Sequence, residues 1–230
     1  MSNTESAVVI GGSHAAVQLV ISLRQNGWEG SISIISDEPH LPYHRPPLSK
    51  AYLAGDISED QLALRASAAY EKLDVSFKLG VTVVAIDTEN RQLQLDSGET
   101  IYFSKLALCT GARARPLAIA GADLQAVHYL RTMDDVKGIQ ASAKTAKTAV
   151  IIGGGYIGLE TAASLNKLGV KVTLLETESR LLKRVASPQV SAFYLRLHTE
   201  EGIDIRLDTQ AAKLLGDQAL TQVICADGTA

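Results

Sequence analysis

Residues 149–176 constrain this chain more than any other stretch. An apolar run, Ala149-Val-Ile-Ile152, has the length and composition of a buried strand. Gly153, Gly155 and Gly158 follow at the spacing G-x-G-x-x-G. A helical pattern comes next, with Ile157, Leu165 and Leu168 expected on one face. A second apolar strand, Lys171-Val-Thr-Leu-Leu175, runs into Glu176, 23 residues after Gly153. Strand, glycines, helix, strand and acid together form a dinucleotide-binding βαβ fingerprint. Gly153 serves the tight turn, Gly155 lets a pyrophosphate approach the backbone, and Gly158 lets helix and strand pack closely. The helix N-terminus offers unpaired N–H groups and a partial positive charge to phosphate. Glu176 stands where an acid holds an adenosine ribose.

The same plan occurs earlier. Ala7 to Ile10 is a short apolar strand after a polar tail, Met1 to Ser6. Gly11-Gly-Ser-His-Ala-Ala16 opens a helix whose core face is Ala16, Leu19, Val20 and Leu23, ending near Asn26-Gly27. Ser31 to Ser36 is a second strand, followed by Asp37. Two mononucleotide-binding units with no substrate domain between them point to two dinucleotides. The first turn departs from the pattern. Ser13 takes the place of the second glycine, and Ala16, an accepted variant, that of the third. A Ser13 Cβ intrudes where a pyrophosphate approaches, but its hydroxyl can donate instead. The turn suits either a phosphate site or a plain βα connection. His14 has no evident partner and is expected to be a surface or packing residue.

Four prolines within Pro39-His-Leu-Pro-Tyr-His-Arg-Pro-Pro-Leu-Ser-Lys50 hold a stiff, extended loop that presents Arg45 and Lys50. A short helix, Lys50 to Ala54, and another, Ala66 to Leu73, are expected after it. Val75–Lys78, Thr82–Asp87, Gln92–Leu95, Thr100–Phe103 and Leu106–Cys109 are short β runs, forming a small antiparallel meander inserted in the first unit. Arg113 to Gly121 is the expected boundary. Val127 to Leu130 predicts a strand, and Thr132 with Asp135 predicts a capped helix to about Ala143. Ser187-Pro188 starts a later helix that ends at Gly202. Ile203–Leu207, Ala211–Leu215 and Leu220–Cys225 predict strands.

Composition removes other classes. Apolar residues are 46% and charged residues 20%, a globular balance. The net charge of −3 points to neither nucleic acid nor a membrane surface. The two cysteines, Cys109 and Cys225, sit in apolar runs and read as buried, reduced thiols. They form no C-x-x-C pair, so neither a redox disulfide nor a metal site is expected. No signal peptide or membrane-length apolar run is evident, and a cytoplasmic protein is expected.

With both units and the proline-rich loop in view, the chain resembles FAD-dependent, NADH-oxidising ferredoxin reductases of the putidaredoxin and rubredoxin reductase type. The resemblance rests on Asp37 to Lys50, on Gly153-Gly-Gly-Tyr-Ile-Gly-Leu-Glu160 and on Val172 to Glu176. It implies an α/β fold of two Rossmann-like domains with three-layer β/β/α character. Residues 1–112 would be the first segment of an FAD-binding domain, and 113–230 a C-terminally incomplete NAD(P)H-binding domain. FAD would meet Gly11, Ser13, Ala15, Asp37, Arg45, Lys50, Val83, Thr110, Gly111 and Arg131, with Lys50 near the flavin's reactive edge. NADH would meet Gly153, Gly155, Tyr156, Ile157, Gly158, Glu160, Glu176, Thr177 and Arg184. Lys50 and Glu160 would form the catalytic pair across the domain boundary. Tyr156 would either cover the nicotinamide site or simply pack. Glu176 favours NADH over NADPH, and Arg184 blurs that preference. The implied partner is a ferredoxin- or rubredoxin-class iron–sulfur protein. Alternatives are a non-catalytic nucleotide-binding fragment, or an oxidoreductase like monodehydroascorbate reductase or apoptosis-inducing factor. Members of the family are longer than this chain, so an open sheet edge and self-association are expected.

Overall fold

The structure, a computed structural model, describes residues 5–230. Most of the expected N-terminal tail, Met1 to Thr4, lies outside the described residues; Ser6 already belongs to a strand. Two compact units form among the described residues, 5–44 with 59–112, and 45–58 with 113–230. The proline-rich loop is therefore divided at His44/Arg45, and its second half packs with the second unit.

In the first unit, β1 (Ser6–Ile10), α1 (His14–Gln25) and β2 (Ser31–Ser36) form the βαβ motif. Two short helices follow, α2 (Glu59–Leu62) and α3 (Ser67–Lys72), then β3 (Val75–Leu79). A three-stranded antiparallel meander, β4 (Val83–Asp87), β5 (Gln92–Leu95) and β6 (Thr100–Tyr102), precedes β7 (Lys105–Leu108). The parallel sheet runs β3-β2-β1-β7. The outer two of the five predicted β runs thus belong to the main sheet, not to the meander. Their period-2 apolar pattern was legible but their partners were not. Strand alternation builds the three layers. Ala7 and Val9 face a core with Ala16 and Val20 of α1, and Val8 faces another with Leu93 and Leu95 of the meander.

Arg24 staples this unit. Its guanidinium donates to the carbonyls of Leu73, Trp28, Gly30 and Asp74 at 2.7–2.9 Å. Two loop segments, 28–30 and 73–74, thereby have their carbonyls satisfied by one planar fork.

The second unit begins with a 3-10 turn, Pro46–Ser49, and the helix expected over Lys50 to Ala54 is instead a run of turns through Gly55. Two prolines at its start suit a turn that lacks their N–H groups. Residues 127–130 form no strand; Val127 instead packs beside Leu214 and Val223. Then come α4 (Met133–Ala143), β8 (Thr148–Ile152), α5 (Tyr156–Lys167), β9 (Lys171–Leu175), α6 (Pro188–Glu200) and β10 (Asp204–Arg206). The parallel sheet runs β10-β9-β8, and β11 (Ala211–Leu215) pairs antiparallel with β12 (Gln222–Cys225). Thr132 and Asp135 make the expected capping box, and Ser187 caps α6. Strand β8 is an edge, although its sequence is that of a strand buried on both faces. Val150 and Ile152 are 42% and 38% exposed. They line a cavity of about 810 Å³ that also touches Leu214 and Val223.

Tyr70 is buried at 3% exposure, and its hydroxyl has no hydrogen-bond partner among the described residues. Burial raises its pKa above the ordinary 10.0. Replacing Tyr70 by Phe is expected to raise stability by about 1 kcal/mol, because it removes an unsatisfied buried group. The sign also holds with pH. The unfolded chain releases this proton first, so the wild type loses stability as pH rises above that ordinary value. Urea melts of both proteins check this; a less stable Tyr70→Phe would contradict it.

Candidate functional site

The second glycine turn is built by contacts that only glycine permits. Gly153 has φ +113° and donates its N–H to Leu175 O at 2.8 Å, locking the end of β8 to β9. A Cβ on Gly158 would lie 2.0 Å from Gly153 O. Helix α5 therefore leaves the strand at the closest approach a backbone allows. A Cβ on Gly154 would meet Leu181 at 2.6 Å and Glu176 Oε2 at 2.9 Å. Gly155 differs: a Cβ there would meet nothing within 4 Å.

That open space lies at the N-terminus of α5. Gly155 is its N-cap and provides no side-chain cap, and the first turn holds no acid. Helices α4 and α6 are capped by side chains, whereas α1 and α5 are not. An uncapped N-terminus beside open space fits an anion such as a pyrophosphate. Glu176 forms the floor of the turn. Its Oε2 accepts from Gly154 N–H at 2.6 Å, and its Oε1 from Glu178 N–H at 2.9 Å and Thr177 Oγ1 at 3.2 Å. The carboxylate is thus fixed, with lone pairs left for a ribose hydroxyl. Arg184 is exposed. Nearby Glu178 is held below the usual carboxylate range, chiefly by its hydrogen bond from Lys183.

One turn further along α5, Glu160 meets the loop. Its Oε2 accepts from Ser49 Oγ at 2.6 Å and from Lys50 Nζ at 2.8 Å. Ser164 Oγ donates to Ser49 O at 2.8 Å, and Lys167 pairs with Asp56 at 2.9 Å. From α4, Gln140 donates to Tyr52 O at 2.6 Å. Arg45 donates to Arg131 O at 3.0 Å. The Lys50–Glu160 pair joins residues on either side of position 112 and lies within the unit formed by residues 45–58 and 113–230. Tyr156 is the first residue of α5. It is 47% exposed and meets Tyr194 edge-on at 6.5 Å. Ile157 and Leu168 are 53% and 43% exposed, so the expected core face of α5 is shifted. The buried face is Leu159, Thr161, Ala162, Ser164 and Leu165.

The first turn shares the lock on its first glycine, since Gly11 donates its N–H to Ile35 O at 2.7 Å. Gly11 has φ +105°, and a Cβ there would lie 2.2 Å from Cys109 O. Ser13 is the N-cap of α1 and makes no capping bond. Ala15, Asp37, Thr110 and Gly111 are exposed, and Val83 is half-buried. Cys109 is half-buried and Cys225 buried; both are free. Burial raises the Cys109 thiol pKa. His14 does have a partner, since its Nε2 lies 3.2 Å from His44 Nδ1. The two lie 30 residues apart, and no sequence pattern links them. Ser49 and Ser164 were likewise missed, because lone serines carry no periodic signal.

A sequence profile of the pyridine nucleotide-disulphide oxidoreductases matches residues 5–230. The chain belongs to this family. As a family member it is 41% identical to putidaredoxin reductase CamA of Pseudomonas putida, over all of this chain and 56% of that protein. It is 42% identical to a ferredoxin–NAD(P)(+) reductase of Sphingomonas sp, over 94% of this chain and 52% of that one. The covalent putidaredoxin reductase–putidaredoxin complex superposes with a TM-score of 0.91 at 41% identity, covering 98% of this chain and 55% of that chain. The ferredoxin reductase for the CYP199A2 system of Rhodopseudomonas palustris gives 0.93 at 36% identity, covering 98% and 56%. The chain spans little more than half the length of these relatives.

Gly158→Ala is expected to destabilise the second unit by about 1–3 kcal/mol or more, since backbone must move to admit the methyl group. Thermal unfolding measures this, and an unchanged midpoint would contradict the packing account.

Proposed function

We propose that this chain carries the nucleotide-binding machinery of an FAD-dependent oxidoreductase. It takes hydride from NADH and passes electrons singly to a ferredoxin- or rubredoxin-class iron–sulfur protein. The observation that carries this is the turn at Gly153, Gly155 and Gly158, with Glu160 and Lys50 paired one helical turn beyond it. The names of the relatives support the same chemistry.

When bound, a flavin supplies two-electron acceptance and one-electron release; the protein supplies binding, orientation and electrostatics. Gly153, Gly155, Ile157 and Gly158 would present backbone to the NADH pyrophosphate. Glu176 and Thr177 would hold the adenosine ribose, and Arg184 would lie beside it. The fixed Glu176 carboxylate would repel a 2′-phosphate and so favour NADH. Tyr156 would lie over the nicotinamide end. Glu160 Oε1 has no protein partner among the described residues, so it would be free to accept from the carboxamide N–H. Lys50, with Arg45 and Arg131, would stabilise negative charge on reduced flavin. Gly11, Ser13, Ala15, Asp37, Val83, Thr110 and Gly111 would hold the FAD nucleotide. The proposed domains remain residues 1–112 for FAD and 113–230 for NADH, with residues 45–58 packed in the second unit.

No helix among the described residues is long and apolar enough to cross a membrane. The two cysteines are free, which agrees with a cytoplasmic setting. The exposed apolar edge at β8 is where self-association would begin. The span of the chain, little more than half of its relatives, favours one second reading: a nucleotide-binding part that turns over only with further polypeptide.

Gly155→Ala tests the proposal cleanly, because the new methyl group touches no protein atom within 4 Å. The variant is expected to melt like wild type yet bind NADH at least about tenfold more weakly, a loss of 1.4 kcal/mol. NADH fluorescence titration reads this. Equal binding by the variant, or none by the wild type, would contradict the proposal; NADPH binding as tight as NADH would remove the role given to Glu176.

A further inference from the structure

Glu160 receives two donors on one oxygen, and they differ in character. Lys50 reaches Oε2 from a long stem whose side chain is 50% exposed. Its Nζ also donates to Pro46 O at 3.1 Å, so it has a second acceptor in reach. An exposed ion pair of this kind is weak and easily exchanged. Ser49 is 4% exposed and has one side-chain torsion. Its backbone is anchored independently, because its carbonyl accepts from the buried Ser164 Oγ at 2.8 Å. The 3-10 turn ahead of it is set by Pro46 and Pro47. Helix α5 thus grips Ser49 twice, through Glu160 and, one turn on, through Ser164.

We propose that Ser49 is the positioning residue of this site: its hydroxyl holds the Glu160 carboxylate through Oε2, which makes Lys50 the exchangeable partner and keeps Oε1 open to a ligand. This rests on Lys50 and Glu160 being the reacting pair. Lys50 can then swing toward charge developing on a bound cofactor while Glu160 keeps its place. A neutral donor suits this task, because it holds the carboxylate without cancelling its charge. Lys50 alone could not do both.

The test uses proton NMR of the 230-residue chain with no cofactor added. The two γ-protons of Glu160, identified by their shift in Glu160→Gln, are inequivalent in any state, but their shift difference is large when the side chain is fixed and small when it rotates freely. The difference is expected to stay large in wild type and in Lys50→Met, to collapse in Ser49→Ala, and to be restored in Ser49→Thr. Should Ser49→Ala fail to fold, Ser164→Ala, which frees the Ser49 carbonyl, is expected to reduce the difference. A difference that stays large in Ser49→Ala, that collapses in Lys50→Met, or that ignores Ser164→Ala would overturn the role of Ser49. None of these outcomes depends on whether NADH binds, so the inference and the functional proposal fail separately.

Discussion

Helix α5 lies against strand β8 because residue 158 has no side chain. A carbonyl sits 2.0 Å from where its Cβ would be, so no other residue permits this approach. The contact sets how the helix leaves the strand, and everything functional in the second unit follows from that direction. It leaves the uncapped helix end facing the open space beside Gly155. It sets Gly154 over the Glu176 carboxylate, each of whose oxygens accepts one backbone N–H and whose Oε2 keeps a further lone pair. The site is a consequence of one close packing contact, with electrostatics added by the helix end and one fixed acid.

The same helix has a second task. Glu160, Ser164 and Lys167 follow one another along α5, and each holds part of residues 45–58. Gln140 of α4 holds the same segment from another side. A loop bearing Arg45 and Lys50 is thereby fixed to the unit that carries the second glycine turn. The proposed anion site and the placement of Lys50 share one helix, which is how precise sites are usually supported.

Much of this was legible in sequence, for identifiable reasons. The glycine turns are local: a fixed spacing, an apolar strand before and a helix after. The caps at Thr132 and Ser187 are local too, and both formed. What failed was long-range. Val75 and Leu106 lie in runs with clear strand character, but alternation does not say which sheet a strand joins. The resemblance predicted the Lys50–Glu160 pair, but sequence order does not show that residues 45–58 pack with a later unit. Ser49 and Ser164 lie 115 positions apart, and His14 pairs with His44 without any motif. On α5 the periodicity put Ile157, Leu165 and Leu168 on one face; Leu165 is buried, but Ile157 and Leu168 are exposed, and Leu159, Ala162 and Ser164 lie inside instead.

The proposed function requires that this chain bind FAD and that NADH reduce it. The most direct measurement is the visible spectrum of the purified chain with FAD, before and after anaerobic NADH. A structured flavin spectrum that bleaches with NADH is predicted. A chain that takes up no FAD, or holds FAD that NADH leaves oxidised, would contradict the claim for this polypeptide.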